Sequence, residues 1–137
     1  MAAQSPRAQE ALHHLKRICL PLPEVSLRPS HQTPTFFIQD KRVLCHLWDN
    51  HHGDGRLALW CPAQPGVQSE LTERESDRFF VPPYVGHRGW IGVRLDVDVD
   101  WDEIDGIINE AYRVAAPKTL VKALNENLDE QLGSDGS

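Results

Sequence analysis

TFFIQDKRVLCHLWDNHHGDGRLALWCP, residues 35–62, reads with a period of two and decides the fold. Thr35–Ile38 is a short run of strand formers, and Gln39-Asp40-Lys41 supplies a turn. Val43, Cys45 and Leu47 then alternate with Leu44, His46 and Trp48, so this strand is apolar on both faces and belongs at the centre of a sheet. Asn50–Gly55 is a glycine-rich hairpin loop that leads into Leu57, Leu59 and Cys61. The stretch therefore predicts a three-stranded antiparallel meander. A further strand is expected around Glu24–Arg28, and Pro62 and Pro65 stop the run.

Upstream, Ser5-Pro6 opens a helix with a hydroxyl at the N-cap and proline at the first helical position. Ala8, Ala11, Leu12, Leu15, Ile18 and Cys19 recur at helical spacing, leaving His13, His14, Lys16 and Arg17 to solvent, and Pro21 and Pro23 end the helix. Downstream, Gly66–Ser76 reads as a short polar helix. Phe79–Val85 is extended, but its two prolines exclude it from a central ladder. Ile91, Val93 and Leu95 mark another strand. Asp100 and Glu103 resemble a capping box ahead of the stripe Trp101, Ile104, Ile107, Ile108, Ala111, Tyr112 and Ala115. Pro117 breaks this helix and opens another, with Leu120, Val121, Leu124 and Leu128 facing inward; residues 129–137 read as a frayed tail.

This order predicts an α+β class fold: a single domain over residues 1–128, with helices packed on one face of an antiparallel sheet and the other face open for binding. The length of 137 residues suits one core. Hydrophobic content of 40% and charged content of 25% exclude collagen-like and disordered classes. No apolar run approaches the ~20 residues of a membrane span. The N-terminus lacks a secretory core, so a cytoplasmic monomer is expected. Cys19, Cys45 and Cys61 contain no CxxC pair and read as reduced buried thiols. The net charge of −6 is unevenly spread: residues 1–94 carry 11 basic and 9 acidic side chains, residues 95–137 carry 3 and 11. Any patch for a polyanion must lie in the first part.

Chemistry-bearing clusters are few. His46, Asp49, His51, His52 and Asp54 suit zinc or iron by type but match no ligand spacing. The acids of Asp96–Asp105 fail the calcium-loop pattern, because Trp101 stands where its glycine belongs. No catalytic triad, phosphate loop or dinucleotide motif is present, so neither an enzyme nor a cofactor is expected. Cys45 and His46 point to opposite faces of one strand and cannot form a thiolate–base pair. The densest motif is PPYVGHRGW, residues 82–90. Its glycines flank His87 and Arg88 in a tight loop that suits an anion.

YVGHRGWIGVRLD (residues 84–96), followed by Asp100-Trp-Asp-Glu103 and Ala111-Tyr-Arg-Val-Ala-Ala-Pro-Lys118, resembles the MmcQ/YjbR family over about residues 8–120. The resemblance implies a CyaY-like (frataxin-like) α+β fold and a double-wing mode of binding double-stranded DNA through two hairpin loops. It places one contact loop at His87 and Arg88. The second comes from Lys41 and Arg42 or from Arg56, and Arg94 is a further candidate contact. The fold resemblance also suggests an iron-binding protein as an alternative. A third reading is a protein-interaction module using the open sheet face around His46, Trp48 and Trp60.

Overall fold

A computed structural model describes residues 5–135, with side chains from Ser5 to Leu128. Helix α1 (Pro6–Cys19) starts as its sequence dictates. The Ser5 hydroxyl accepts from the Ala8 N–H at 3.2 Å, and Ala8, Ala11, Leu15 and Cys19 are buried. Four strands follow as a meander: β1 (Val25–Ser30), β2 (Thr33–Ile38), β3 (Arg42–Asp49) and β4 (Leu57–Cys61). Next come α2 (Val67–Arg74), the two-residue β5 (Phe79–Phe80), β6 (Ile91–Arg94), α3 (Trp101–Ala115) and α4 (Lys118–Asp135). The sheet order is β1-β2-β3-β4-β6-β5 with every neighbour antiparallel, and the proline-flanked β5 sits at the edge. The expected α+β class is the observed one.

One face of the sheet packs against α1, α3 and Leu124 of α4, burying Phe36, Ile38, Leu47, Leu59, Ile91 and Val93 among others. The Tyr112 hydroxyl anchors α3 to the chain end of α1 by donating to the Pro23 carbonyl at 2.7 Å, and burial pushes its pKa up to about 12. Strict alternation along β3 fails at one point. Phe36 pairs with Cys45 and Phe37 with Val43, which leaves Leu44 as the extra residue of a bulge. Leu44 and Cys45 therefore both enter the helix-side core, while Val43 turns to the opposite face beside Trp48.

That opposite face is not open. Ala58, Trp60 and Trp90 form a second small core, with Val43, Trp48, Phe80 and Val85 packed against it. The segment between β5 and β6 crosses it as a strap. Gln68 of α2 pins the strap: its side-chain amide donates to the Gly86 and Trp90 carbonyls, each at 2.7 Å. Trp60 is only 3% exposed and His46 9%, so a flat docking surface around His46, Trp48 and Trp60 is excluded.

Three smaller expectations change. Asp100 caps α3 by accepting from the Asp102 N–H, but Glu103 pairs with Arg78 and does not close a capping box. A tertiary ion pair has taken the carboxylate. Leu128 is exposed where an inward contact was expected. Helix α4 continues to Asp135, past the boundary from which a frayed tail was expected.

Two glycines separate packing from propensity. A Cβ at Gly92 would collide with the Phe80 ring, whereas one at Gly106, inside α3, meets nothing within 4 Å. Gly92→Ala should lower the unfolding free energy by about 1–3 kcal/mol through overpacking. Gly106→Ala should raise it by about 0.5–1 kcal/mol. Urea titrations of the two variants read both signs.

Candidate functional site

The sheet register sorts the six basic candidates. Ile38 pairs with Arg42, Cys61 with Ile91, and Asp49 with Leu57. The β2–β3 turn that carries Lys41 and the first residue of β6 therefore lie at one end of the sheet, and Lys41 and Arg42 belong to this end. Arg56, at the start of β4, and Arg94, at the close of β6, belong to the other. His87 and Arg88 sit in the strap, in the turn that follows Tyr84 and Val85, with Arg88 over Trp90.

Their partners differ as well. The Arg94 guanidinium grips Asp96 through two bonds of 3.0 and 2.8 Å, which pulls the Asp96 carboxyl below its ordinary range. Arg56 lies over the Phe80 ring at 4.2 Å and Arg88 over Trp90 at 5.4 Å. Arg42 donates to the Ala115 carbonyl at 3.1 Å, capping the negative C-terminal end of α3. Among the described residues, none of Lys41, Arg42, Arg56 and Arg88 is ion-paired with a carboxylate.

Helix α3 spans the two ends. It begins beside the close of β6, where Asp96, Asp98, Asp100, Asp102 and Glu103 collect, and runs back to Ala115 beside Arg42. Arg113 and Lys118 flank that second end. At the β2–β3 end Lys41 and Arg42 lie with Glu24 and Asp40, of which Asp40 pairs with Arg28 and Glu24 accepts from Gln39.

Sequence reasoning missed a cleft of about 730 Å³ at the opposite end. It lies between the β1–β2 turn (His31, Gln32), the β3–β4 loop (Asn50–His52) and the strap at Tyr84 and Val85. Its wall is aromatic: His51 sits edge-on to Trp48 at 4.5 Å and to Trp60 at 4.7 Å, with Tyr84 6.2 Å beyond. The indole N–H groups of Trp48 and Trp60 are buried and have no hydrogen-bond partner among the described residues. An unsatisfied buried donor costs about 1–3 kcal/mol. The alternation of His46 and Trp48 was the one signal of this wall in the sequence.

Two clusters held as metal candidates serve the fold. Asp49 accepts from the Ser5 hydroxyl at 2.7 Å and pairs with Arg7 at 3.5 Å. Asp54 accepts from the Arg56 N–H, Asp96 holds Arg94 and Asp100 caps α3. Among the described residues, no group of three or more His, Cys, Asp or Glu side chains is placed to hold a metal ion. The three cysteines are free and buried, with Cys19 and Cys45 sulfurs 3.9 Å apart; burial raises the Cys45 and Cys61 thiols well above their ordinary value. Thiols so shifted are poor nucleophiles.

Burial, reinforced by His31, lowers the His46 pKa from 6.5 to about 4. The unfolded chain thus takes up a proton near pH 6.5 that the folded chain resists until about pH 4. This contribution to stability is complete above 6.5 and fades as pH falls toward 4, by roughly 3 kcal/mol in total. Urea midpoints should fall across that window, and His46→Gln should flatten the fall. An equal slope in the variant would assign it to other groups.

No helix among the described residues is long and apolar enough to cross a membrane. No curated protein and no solved structure matches the chain. A family model described as YjbR does match, over residues 20–114, which takes in the whole sheet, the strap and all but the last residue of α3. This α+β chain, with its strap across the second face of the sheet, belongs to the YjbR family.

Proposed function

We propose that the chain is a non-catalytic domain that grips the phosphate backbone of double-stranded DNA through two loops. The β2–β3 turn with Lys41 and Arg42 is one loop, and Gly86–Arg88 with His87 and Arg88 is the other. The observation that carries this reading is that Lys41, Arg42 and Arg88 have no carboxylate partner among the described residues, which leaves local positive charge for a polyanion although the chain carries −6 overall. Arg42 bonds a backbone carbonyl and Arg88 an indole face, so neither cation is neutralised by a carboxylate among the described residues. Contacts of this kind position a protein on DNA without selecting a sequence.

Arg56 and Arg94 are left out of the contact set by their end of the sheet, and Arg94 also by Asp96. Three observations support a non-catalytic role. His46 is held by the Thr35 hydroxyl at 2.9 Å, the buried thiols are raised, and Tyr112 is spent on Pro23.

Fluorescence anisotropy of a labelled duplex of about 20 base pairs, titrated at several salt concentrations, tests the reading. Affinity should fall with salt. A Lys41→Ala/Arg88→Ala variant should bind more weakly, with a log–log slope shallower by about 0.9 for each phosphate it no longer neutralises. Arg94→Ala should match the wild type. A double variant with unchanged affinity and slope would end the two-loop reading.

A further inference from the structure

A second cavity, a groove of about 420 Å³, lies between α2, α3 and the chain that leaves β4. That volume falls in the range of small-molecule sites. Ile91, the first residue of β6 and 1% exposed, lies at its base. Val67 and Leu71 line it from α2 and Ile107 from α3, while Pro62 and Ala63 follow the end of β4. Its polar residues are Gln64, Glu103 and Glu110, and among the described residues no lysine or arginine lines it.

Gly106 also lines the groove, in the interior of α3, and the fold itself does not ask for glycine there. Its φ is not left-handed, and a Cβ would meet nothing within 4 Å. Alanine is the better helix former at such a position. The chain forgoes that helical stability and keeps one wall of an apolar groove low. The walls are also acidic: α2 and α3 carry six acidic side chains and two basic ones. Glu103 is held by Arg78. Glu110, one turn past Gly106 on the same face, has its side chain 60% exposed and reaches Arg113 only at 4.0 Å. A cation at this rim has a carboxylate to pair with, and an anion is repelled.

We propose that this groove binds a small amine with an apolar body. The body lies against Val67, Leu71, Ile91 and Ile107, its ammonium pairs with Glu110, and the absent side chain of Gly106 leaves room for both. The site does not depend on the phosphate-gripping loops, because an apolar groove with acidic walls has nothing to offer a phosphate.

Methyl NMR of the full chain, titrated at pH 7 with octylamine, octanol and octanoate below their micellar concentrations, tests the site. The three probes share a chain and differ in the charge of the head group. Octylamine should shift the methyl signals of Val67, Leu71, Ile91 and Ile107 saturably, with octanoate at least about fivefold weaker. Glu110→Gln should lower the affinity for octylamine by about two- to fivefold and leave that for octanol unchanged. Gly106→Ala should bind octylamine at least about threefold more weakly in a protein whose urea midpoint is not lowered, a loss that unfolding cannot produce. No saturable shift of these methyls with octylamine overturns the site. So does octanoate binding as tightly as octylamine, or both variants binding octylamine like the wild type. Shifts given only by a helical leucine–lysine peptide would assign the groove to a protein partner, and shifts on raising the protein concentration alone to a second copy of the chain. Either result overturns the small amine.

Discussion

Strands β3 and β4 bury side chains on both faces, and most of the structure answers that constraint. All five residues of β4 are buried, and four consecutive residues of β3 are. A sheet of this kind cannot leave one face to water. Helices α1, α3 and α4 cover the face with Phe36, Leu59 and Val93. No helix remains for the other face, so the chain between β5 and β6 crosses it as an irregular strap over Trp60 and Trp90. Irregular backbone buried this way must find partners for its carbonyls. Gln68 meets two of them with one amide, and Gly86 and Gly92 give up their Cβ where Val81 and Phe80 lie.

The same strap sets the distribution of charge. By returning the chain to β6 antiparallel to β4, it delivers Arg94 and the acids that follow to the β1–β2 end of the sheet. Helix α3 then has to start there, with Asp100, Asp102 and Glu103 at its positive end, and to finish beside Arg42. Each acid is well placed for local reasons: a cap, a helix dipole, an ion pair with Arg78 or Arg94. Their sum gathers Asp96, Asp98, Asp100, Asp102 and Glu103 around the start of α3. Net charge alone does not say where the charges lie.

What the sequence made legible were features of local origin. The stripe of α1, its Ser5-Pro6 start, the proline-flanked edge strand and the α3 stripe with its Asp100 cap all follow from neighbours within a turn or two. The bulge at Leu44 was hidden, because inserting one residue leaves the composition of β3 unchanged and shows only in the pairing with β2. Glu103 had the spacing of a capping box, but Arg78, 25 residues away in the chain, won its carboxylate. The strap carried no period to read, so the second face was expected to be bare. Among the candidate contacts, chain position marked His87 and Arg88 as loop residues. That Arg56 and Arg94 share one end of the sheet while Lys41 and Arg42 share the other shows only in the strand pairing.

Where a fold carries its costs is itself informative. The helix-side core is satisfied: Tyr112 has its carbonyl, and no buried side-chain donor there lacks a partner among the described residues. The unpartnered indoles of Trp48 and Trp60 and five left-handed residues gather at one end of the opposite face. A left-handed conformation costs an L-residue about 1–2 kcal/mol, less where asparagine occupies it. His31 and Gln32, both left-handed, form the two-residue turn whose twist matches that of β1 and β2, and Gln39 and Asp40 are left-handed in the β2–β3 turn as well, so part of this cost serves the pairing of the strands. The turns at the other end also set His31, Gln32, Asn50, His52 and Tyr84 around the cleft beside Trp48.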